Sequence, residues 1–333
     1  MSTITLRRAA YAAGGAIALT LTLGITGAVA EPANPECIAP AQPGGGFDIT
    51  CKLAQASLAQ SGALTEMMRV SYMPGGIGAV AFNTIVGQRR NEPGTIVAFS
   101  GGSLLNLAQG KFGEYDADAV RWVASTGTDY GAAVVAADSP WQSLSDMMEA
   151  IKADPTSVII GAGGTIGSQD WMKAALTAQA AGVDHTAMRF VAFEGGGECA
   201  TALQGGHVNV CMGDVGESQG AIDGGAPLRL LAIYSAERLN GSLAEVPTAK
   251  EQGYDIEWPI MRGFYVGPEV SDEDYTFWAQ AFEKAMADPG YAALLEERNL
   301  QPLPLTGEEL QATVAERVAT YRELASGFGL VQE

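Results

Sequence analysis

Short apolar runs alternate along the chain with longer stretches whose apolar positions recur every three or four residues, and glycine-rich turns join them. The first kind reads as buried strands and the second as amphipathic helices. Strands are predicted at 37–41, 68–72, 95–100, 120–125, 132–136, 158–161, 188–192, 208–212, 228–234 and 264–266. Helices are predicted at 47–60, 79–88, from 104 onward, 143–153, 169–181, 198–204, 271–287 and 308–327. Ser143 is placed to cap its helix and Asp154-Pro155 to end it. The alternation indicates an α/β chain with largely parallel sheets.

The unit strand, glycine turn, helix occurs about five times, first at Pro43-Gly44-Gly45-Gly46-Phe47-Asp48. Such a turn leaves unpaired N–H donors and the positive end of a helix dipole at the carboxyl edge of a strand, a ready site for an anion. Glycine also lets the backbone approach closely or take positive φ. In open α/β sheets ligands bind at this edge. Two such domains facing each other form a cleft that closes by hinge motion. The chain is expected to cross from the first domain near Gly131 and to return near Arg262-Gly263. Residues 31–131 with 263–333 would then form one Rossmann-like α/β domain, and 132–262 the other.

Residues 1–30 read as a signal peptide: Arg7-Arg8, a small apolar stretch, then Ala28-Val29-Ala30 as the cleavage signal. This predicts export to the periplasm. The segment holds two arginines and no acid, so the formal charge of −19 becomes −21 in the remaining 303 residues. That balance argues against nucleic acid and anionic membrane surfaces as partners. It also requires that a site for an anion be positive locally, through N–H groups, helix ends or an arginine.

Four cysteines in an exported chain suggest disulfides, with three connectivities open. The local separations, 14 and 12 residues, predict Cys37–Cys51 and Cys199–Cys211, each tying a strand to a neighbouring helix. His185 and His207 are the only histidines, and with the cysteines they fit no zinc spacing, so no metal is expected. No Gly-x-Ser-x-Gly elbow is present, which counts against a secreted hydrolase. Gly161–Gly167 superficially matches a dinucleotide fingerprint, but export makes a nucleotide improbable, and no cofactor is expected.

Several segments, in this order, are familiar. Pro43-Gly44-Gly45-Gly46-Phe47-Asp48 is followed by Pro74-Gly75-Gly76-Ile77-Gly78 with Asn83, then Gly164-Thr165-Ile166-Gly167-Ser168. Phe193-Glu194-Gly195-Gly196-Gly197 and Val246-Pro247-Thr248-Ala249-Lys250-Glu251-Gln252-Gly253 complete the series. Together they resemble the substrate-binding proteins of tripartite tricarboxylate transporters, the Bug or TctC-like family, over nearly the whole chain after the signal. Glu36–Pro40, Phe99–Asn106, Gly127–Tyr130 and Arg262–Pro268 look closest to the tricarboxylate-binding branch. Two positions depart from the usual pattern: Phe193-Glu194-Gly195 stands where Tyr-Lys-Gly is common, and Asp170-Trp171 where His or Leu is common.

The resemblance implies a two-domain flytrap that does no catalysis, captures a citrate-like tricarboxylate as a monomer, and delivers it to an integral membrane permease. A dicarboxylate or aromatic carboxylate is the alternative ligand, and presentation to a sensor kinase an alternative role. The expected ligand residues are Pro43, Gly44, Gly45, Gly46, Phe47 and Asp48 in the first turn, and Gly101, Gly102 and Ser103 in a second. Thr165, Ile166, Gly167 and Ser168, then Phe193, Gly195 and Gly196, are expected to face them from the other domain, with Asp214 and Arg262 completing the set. Asp48 is expected to order its loop or cap its helix rather than hold an anion, and Arg262 to fork onto a carboxylate or to pair with an acid.

Overall fold

The computed structural model describes residues 30–331, so the signal-peptide reading lies outside the described residues. No helix among them is long and apolar enough to cross a membrane.

β1 (Glu36–Ala39) runs through the first glycine turn into α1 (Gly46–Gln60). β2 (Arg69–Tyr72), α2 (Ala79–Gly87), β3 (Thr95–Ser100) and α3 (Gly101–Ala108) follow. β4 (Arg121–Ala136) is one sixteen-residue strand where the apolar pattern predicts two. The polar stretch between them, Thr128-Asp129-Tyr130, imitates a break. The strand continues because the Asp129 carboxylate finds buried partners, the Gly216 amide at 3.1 Å and Arg262 at 2.7 Å.

Next come α4 (Leu144–Ala153), capped by Ser143 as expected, then β5 (Ile159–Gly163), α5 (Gln169–Ala180), β6 (Arg189–Phe193) and α6 (Gly196–Gln204). β7 (Val210–Asp214) leads directly into α7 (Val215–Asp223), a helix the sequence pattern does not predict, and then β8 (Leu228–Ile233). β9 (Pro259–Val266) starts five residues earlier than predicted. α8 (Asp272–Met286), the short α9 (Tyr291–Glu296), β10 (Leu305–Thr306) and α10 (Gly307–Gly327) complete the chain.

The strands form a sheet in the order β2-β1-β3-β9-β4-β7-β5-β6, with β8 and β10 also pairing with β4. It is mixed rather than largely parallel: β1 pairs in parallel with β2 and β3, and β5 with β6 and β7, but β4 and β9 are antiparallel to their neighbours. These two strands carry the chain through the middle of the sheet without a crossover helix, and parallel pairing requires a crossover. β4 pairs with β9 over Arg121–Tyr130 and with β7 over Gly131–Val135, so its partner changes at Gly131.

On one side Phe99, Trp122, Tyr265 and Phe82 pack edge-on or tilted, and Phe264 stacks on Phe282 at 4.8 Å. On the other, Ala132, Val134, Leu203 and Val215 surround the Cys199–Cys211 pair. Both predicted disulfides are present, Cys37–Cys51 joining β1 to α1 and Cys199–Cys211 joining α6 to β7. Each fixes the helix that follows a glycine turn, or the strand beside it, close to the cleft.

Candidate functional site

α1 starts at Gly46 and α6 at Gly196, each after an extended glycine and neither with a side-chain cap. Their first amides are therefore free of the usual internal acceptor. α5 differs, because Ser168 Oγ accepts the Trp171 amide at 3.3 Å. These three turns enclose a cavity of about 50 Å3. Gly45, Gly46, Phe47, Ile77 and Ser100 line it from one half of the molecule, and Ser168, Gln169, Gly195, Gly196, Asp214 and Glu217 from the other.

Two larger spaces adjoin it. One, about 330 Å3, shares Ile77, Ser168 and Glu194 with the first and adds Asn106, Lys111, Thr165 and Phe193. The other, about 450 Å3, shares Gly196 and Glu217 and adds Gly44, Asp48 and Lys52. Ile77 stands between the first two and reaches the Gly164 loop opposite, with backbone angles of φ 51 and ψ 49. A β-branched residue in this left-handed region is strained.

Asp48 orders its loop as anticipated. Its carboxylate accepts the Gly44 amide at 2.7 Å, the Tyr72 hydroxyl at 2.9 Å and the Lys52 ammonium at 2.7 Å. Pro43 is exposed at the outer side of the same turn. The α3 turn is closed rather than open. Ser103 Oγ accepts the Ser100 amide at 3.2 Å, Gly101 packs under Tyr321, and Gly102 packs under the Gln169 amide group. From this turn only Ser100 reaches the cavity. Ile166 is 57% exposed, and its carbonyl accepts Lys111 Nζ at 3.0 Å. The Gly167 carbonyl accepts Gln109 Nε2 at 2.7 Å. Those two residues therefore join the halves by their backbones.

Beneath the cavity lies a buried charge network. Arg262, only 2% exposed, donates from one nitrogen to Asp129 and Asp214, each at 2.7 Å. Lys173, fully buried, pairs with Asp170 at 2.8 Å and Asp214 at 3.2 Å. Gln169 Nε2 also donates to Asp214, at 3.1 Å. Burial works against both cations, but the paired aspartates outweigh it and raise their pKa values. Burial raises Asp129 and Asp170, with Arg262 and Lys173 respectively pulling them back. Arg262 has thus taken the ion-pairing role, although it lines the cavity and its buried Nε has no partner.

The sequence reading missed Glu217, Gln169 and Lys111. Glu217 follows Asp214 by three residues, in the first turn of α7, and could have been found had Gly213-Asp214 been read as another strand-to-helix turn. Lys111 sits on a loop without any periodic signal. It is the cation that faces the 330 Å3 space, beside Thr165 and Asn106. A larger cavity of about 710 Å3, lined by Asn240–Leu243, α9 and residues 299–302, contains no lysine or arginine, and two acids, Asp288 and Glu296. Its chemistry does not suit an anion. No group of three or more His, Cys, Asp or Glu among the described residues is arranged to hold a metal ion.

The family described as tripartite tricarboxylate transporter family receptor matches residues 113–330. The UPF0065 protein in the gbd 5' region of Cupriavidus necator is 28% identical over 200 residues, 60% of this chain and 59% of that protein. The match therefore spans less than two thirds of that relative's length. Among solved structures, the periplasmic binding protein BugD superposes with a TM-score of 0.80 at 18% identity, over 91% of this chain and 100% of that one. MatC from Rhodopseudomonas palustris, with bound malate, superposes with a TM-score of 0.75 at 18% identity, over 87% and 98%. These likenesses establish the fold of a periplasmic binding protein. With about two thirds of its length matched by the family, the chain belongs to the tripartite tricarboxylate transporter family receptors, which are periplasmic solute-binding proteins.

Proposed function

We propose that this protein captures a small carboxylate between its two halves and hands it, as a monomer, to an integral membrane permease. The observation that carries this reading is the convergence of three strand-to-helix turns, from both sides of the Gly131 crossing, on one set of connected cavities. The uncapped helix start at Gly196, the hydroxyls of Thr165 and Ser168, and Lys111 supply donors there, while the Gly46 amide is already held by Glu217. The 330 Å3 space is within the usual range for a small-molecule site. Residues 31–131 with 263–333, and 132–262, would act as the two lobes. A ligand touching both would favour the closed arrangement. Of the expected ligand residues, we assign the turn residues that reach the cavities to contact with the ligand. Gly101, Gly102 and Ser103 we assign to support.

The sequence placed a citrate-like tricarboxylate first. The acids in the cleft, Glu194, Glu198 and Glu217, instead favour a ligand of lower charge, and a dicarboxylate becomes the first expectation. Like charges this close disfavour one another. The bound malate in MatC, a protein of the same fold, is compatible with that choice. The test is a thermal-shift screen of the purified mature protein with succinate, malate, adipate, citrate and tricarballylate. A ligand at a hundred times its dissociation constant stabilises by about 2.7 kcal/mol, a rise of several degrees. Dicarboxylates should produce the larger rise. A rise with tricarboxylates alone would restore citrate, and no rise with any acid would remove the carboxylate reading.

A further inference from the structure

Glu217, in the first turn of α7, lines both the central cavity and the adjoining 450 Å3 space. Its Oε2 accepts the Gly46 amide at 3.1 Å, at the start of α1. Its Oε1 fills the space over Gly196, at the start of α6, so closely that a methyl group on Gly196 would overlap it. One side-chain carboxyl therefore stands between the two uncapped helix starts, where an anion would be drawn. Independently, two side chains that are more than nine-tenths buried line the same cavity with an unpartnered polar atom: Gln169 through Oε1 and Arg262 through Nε. Buried polar atoms without partners are uncommon and mark a place where a ligand completes the set.

The charges around Glu217 come from every neighbouring element. β7 contributes Asp214, α5 Asp170 and Lys173, β4 Asp129, β9 Arg262, and the β6–α6 turn Glu194. Across the outer space Asp48 and Lys52 pair with each other at 2.7 Å and cancel. Arg262 and Lys173 are already engaged by aspartates, and no ion pair to Glu217 forms among the described residues. Burial first, then Asp214 and Asp170, push its pKa up to about 8, against the pull of Arg262.

We propose that Glu217 is the specificity-determining residue of the cleft: in its protonated form it donates its hydroxyl to a carboxylate of the ligand, so that the ligand is held together with the proton Glu217 already carries. This rests on the carboxylate reading above. It explains how a cleft with more acids than bases accepts an anion, and it selects ligands that place a carboxylate at the meeting point of α1 and α6. Ionised, the same side chain repels that carboxylate.

The experiment pairs wild type with Glu217→Gln, which keeps a donor and cannot ionise. Calorimetric titration with succinate, malate and adipate from pH 6 to 9.5 reads binding, and thermal unfolding of the ligand-free proteins from pH 4 to 9.5 reads the titration of Glu217 itself. Wild-type affinity should hold up to about pH 8 and then fall toward tenfold per pH unit, whereas Glu217→Gln should hold throughout. An acid whose folded pKa is raised contributes stability below its unfolded value, near 4.5, that is lost as pH rises to about 8. The melting temperature of Glu217→Gln should therefore gain on wild type across that window and stay level above it. A wild type that binds with pH-independent affinity, or a melting difference that does not change with pH, would overturn the proposal while leaving the carboxylate reading intact. Absence of binding by any of the three acids at any pH would remove the dicarboxylate reading and this proposal with it, and the unfolding data would still show whether Glu217 titrates high.

Discussion

At the scale of single residues, the cleft floor is held by ionic contacts in a place where solvent cannot screen them. Arg262 answers two aspartates from one nitrogen, and Gly46 lies so close to its guanidinium that any Cβ there would collide with it. Removing one member of such a buried network leaves the others charged and unpaired, which costs more than the pair contributed. Arg262→Ala should therefore lower the unfolding free energy by about 3–5 kcal/mol, because Asp129 and Asp214 both lose their partner. Urea unfolding at pH 7 checks this, and a loss below about 1 kcal/mol would mean that solvent reaches the network. Gly46→Ala should be destabilising for the same reason, through displacement of Arg262. The sequence pointed to Arg262 and Asp214 as site residues without showing that they pair. Their partners lie 133 and 48 residues away along the chain, a separation no local pattern records.

At the scale of elements, most strands and helices were readable because each carries its own periodicity and is bounded by glycine or proline. The exceptions share a cause. β4 reads as two strands because polar residues in its middle are satisfied by distant partners. α7 gives no apolar periodicity because it starts directly after β7, whose last residues Gly213-Asp214 also serve as its turn, and it reads Val-Gly-Glu-Ser-Gln-Gly. α9 has six residues, shorter than the window in which a helical period can be recognised. The closed state of the α3 turn is equally hidden, since Ser103 and Gly102 look like open donors until Ser100 is seen to cap with Ser103 and Gln169 to cover Gly102.

The two disulfides, by contrast, follow from short separations in the sequence. A closed loop of about 15 residues contributes about 3 kcal/mol in the chain-entropy account. The Cys37→Ala, Cys51→Ala double variant should lose about that much in denaturant unfolding. Because Cys51 lies in the second turn of α1, the variant should also weaken ligand binding more than the Cys199→Ala, Cys211→Ala pair would if α1 is the principal anchor. Equal losses of affinity in both would speak against that.

At the scale of the molecule, the parts on either side of the Gly131 crossing are bridged beside the cavities they enclose. Gln109 and Lys111 bond across to the carbonyls of Gly167 and Ile166, and the end of α10 lays Phe328 against Trp171 and His185 with ring centres 5.7 and 5.2 Å apart. The central cavity of about 50 Å3 is too small for a dicarboxylate, so a ligand would enter the adjoining space past Ile77 or separate the halves slightly. The strained Ile77 is the natural place for that adjustment. The claim at this scale is that binding occurs between the halves and not in the larger groove beside α9. The direct measurement is a crystal structure grown with whichever of succinate, malate, adipate or citrate binds most tightly. The account predicts the ligand between the starts of α1, α5 and α6, with a carboxylate within hydrogen-bonding distance of Glu217 and of Ser168 or Lys111. A ligand lodged among Asn240–Leu243 and α9, with the central cleft unchanged, would contradict it.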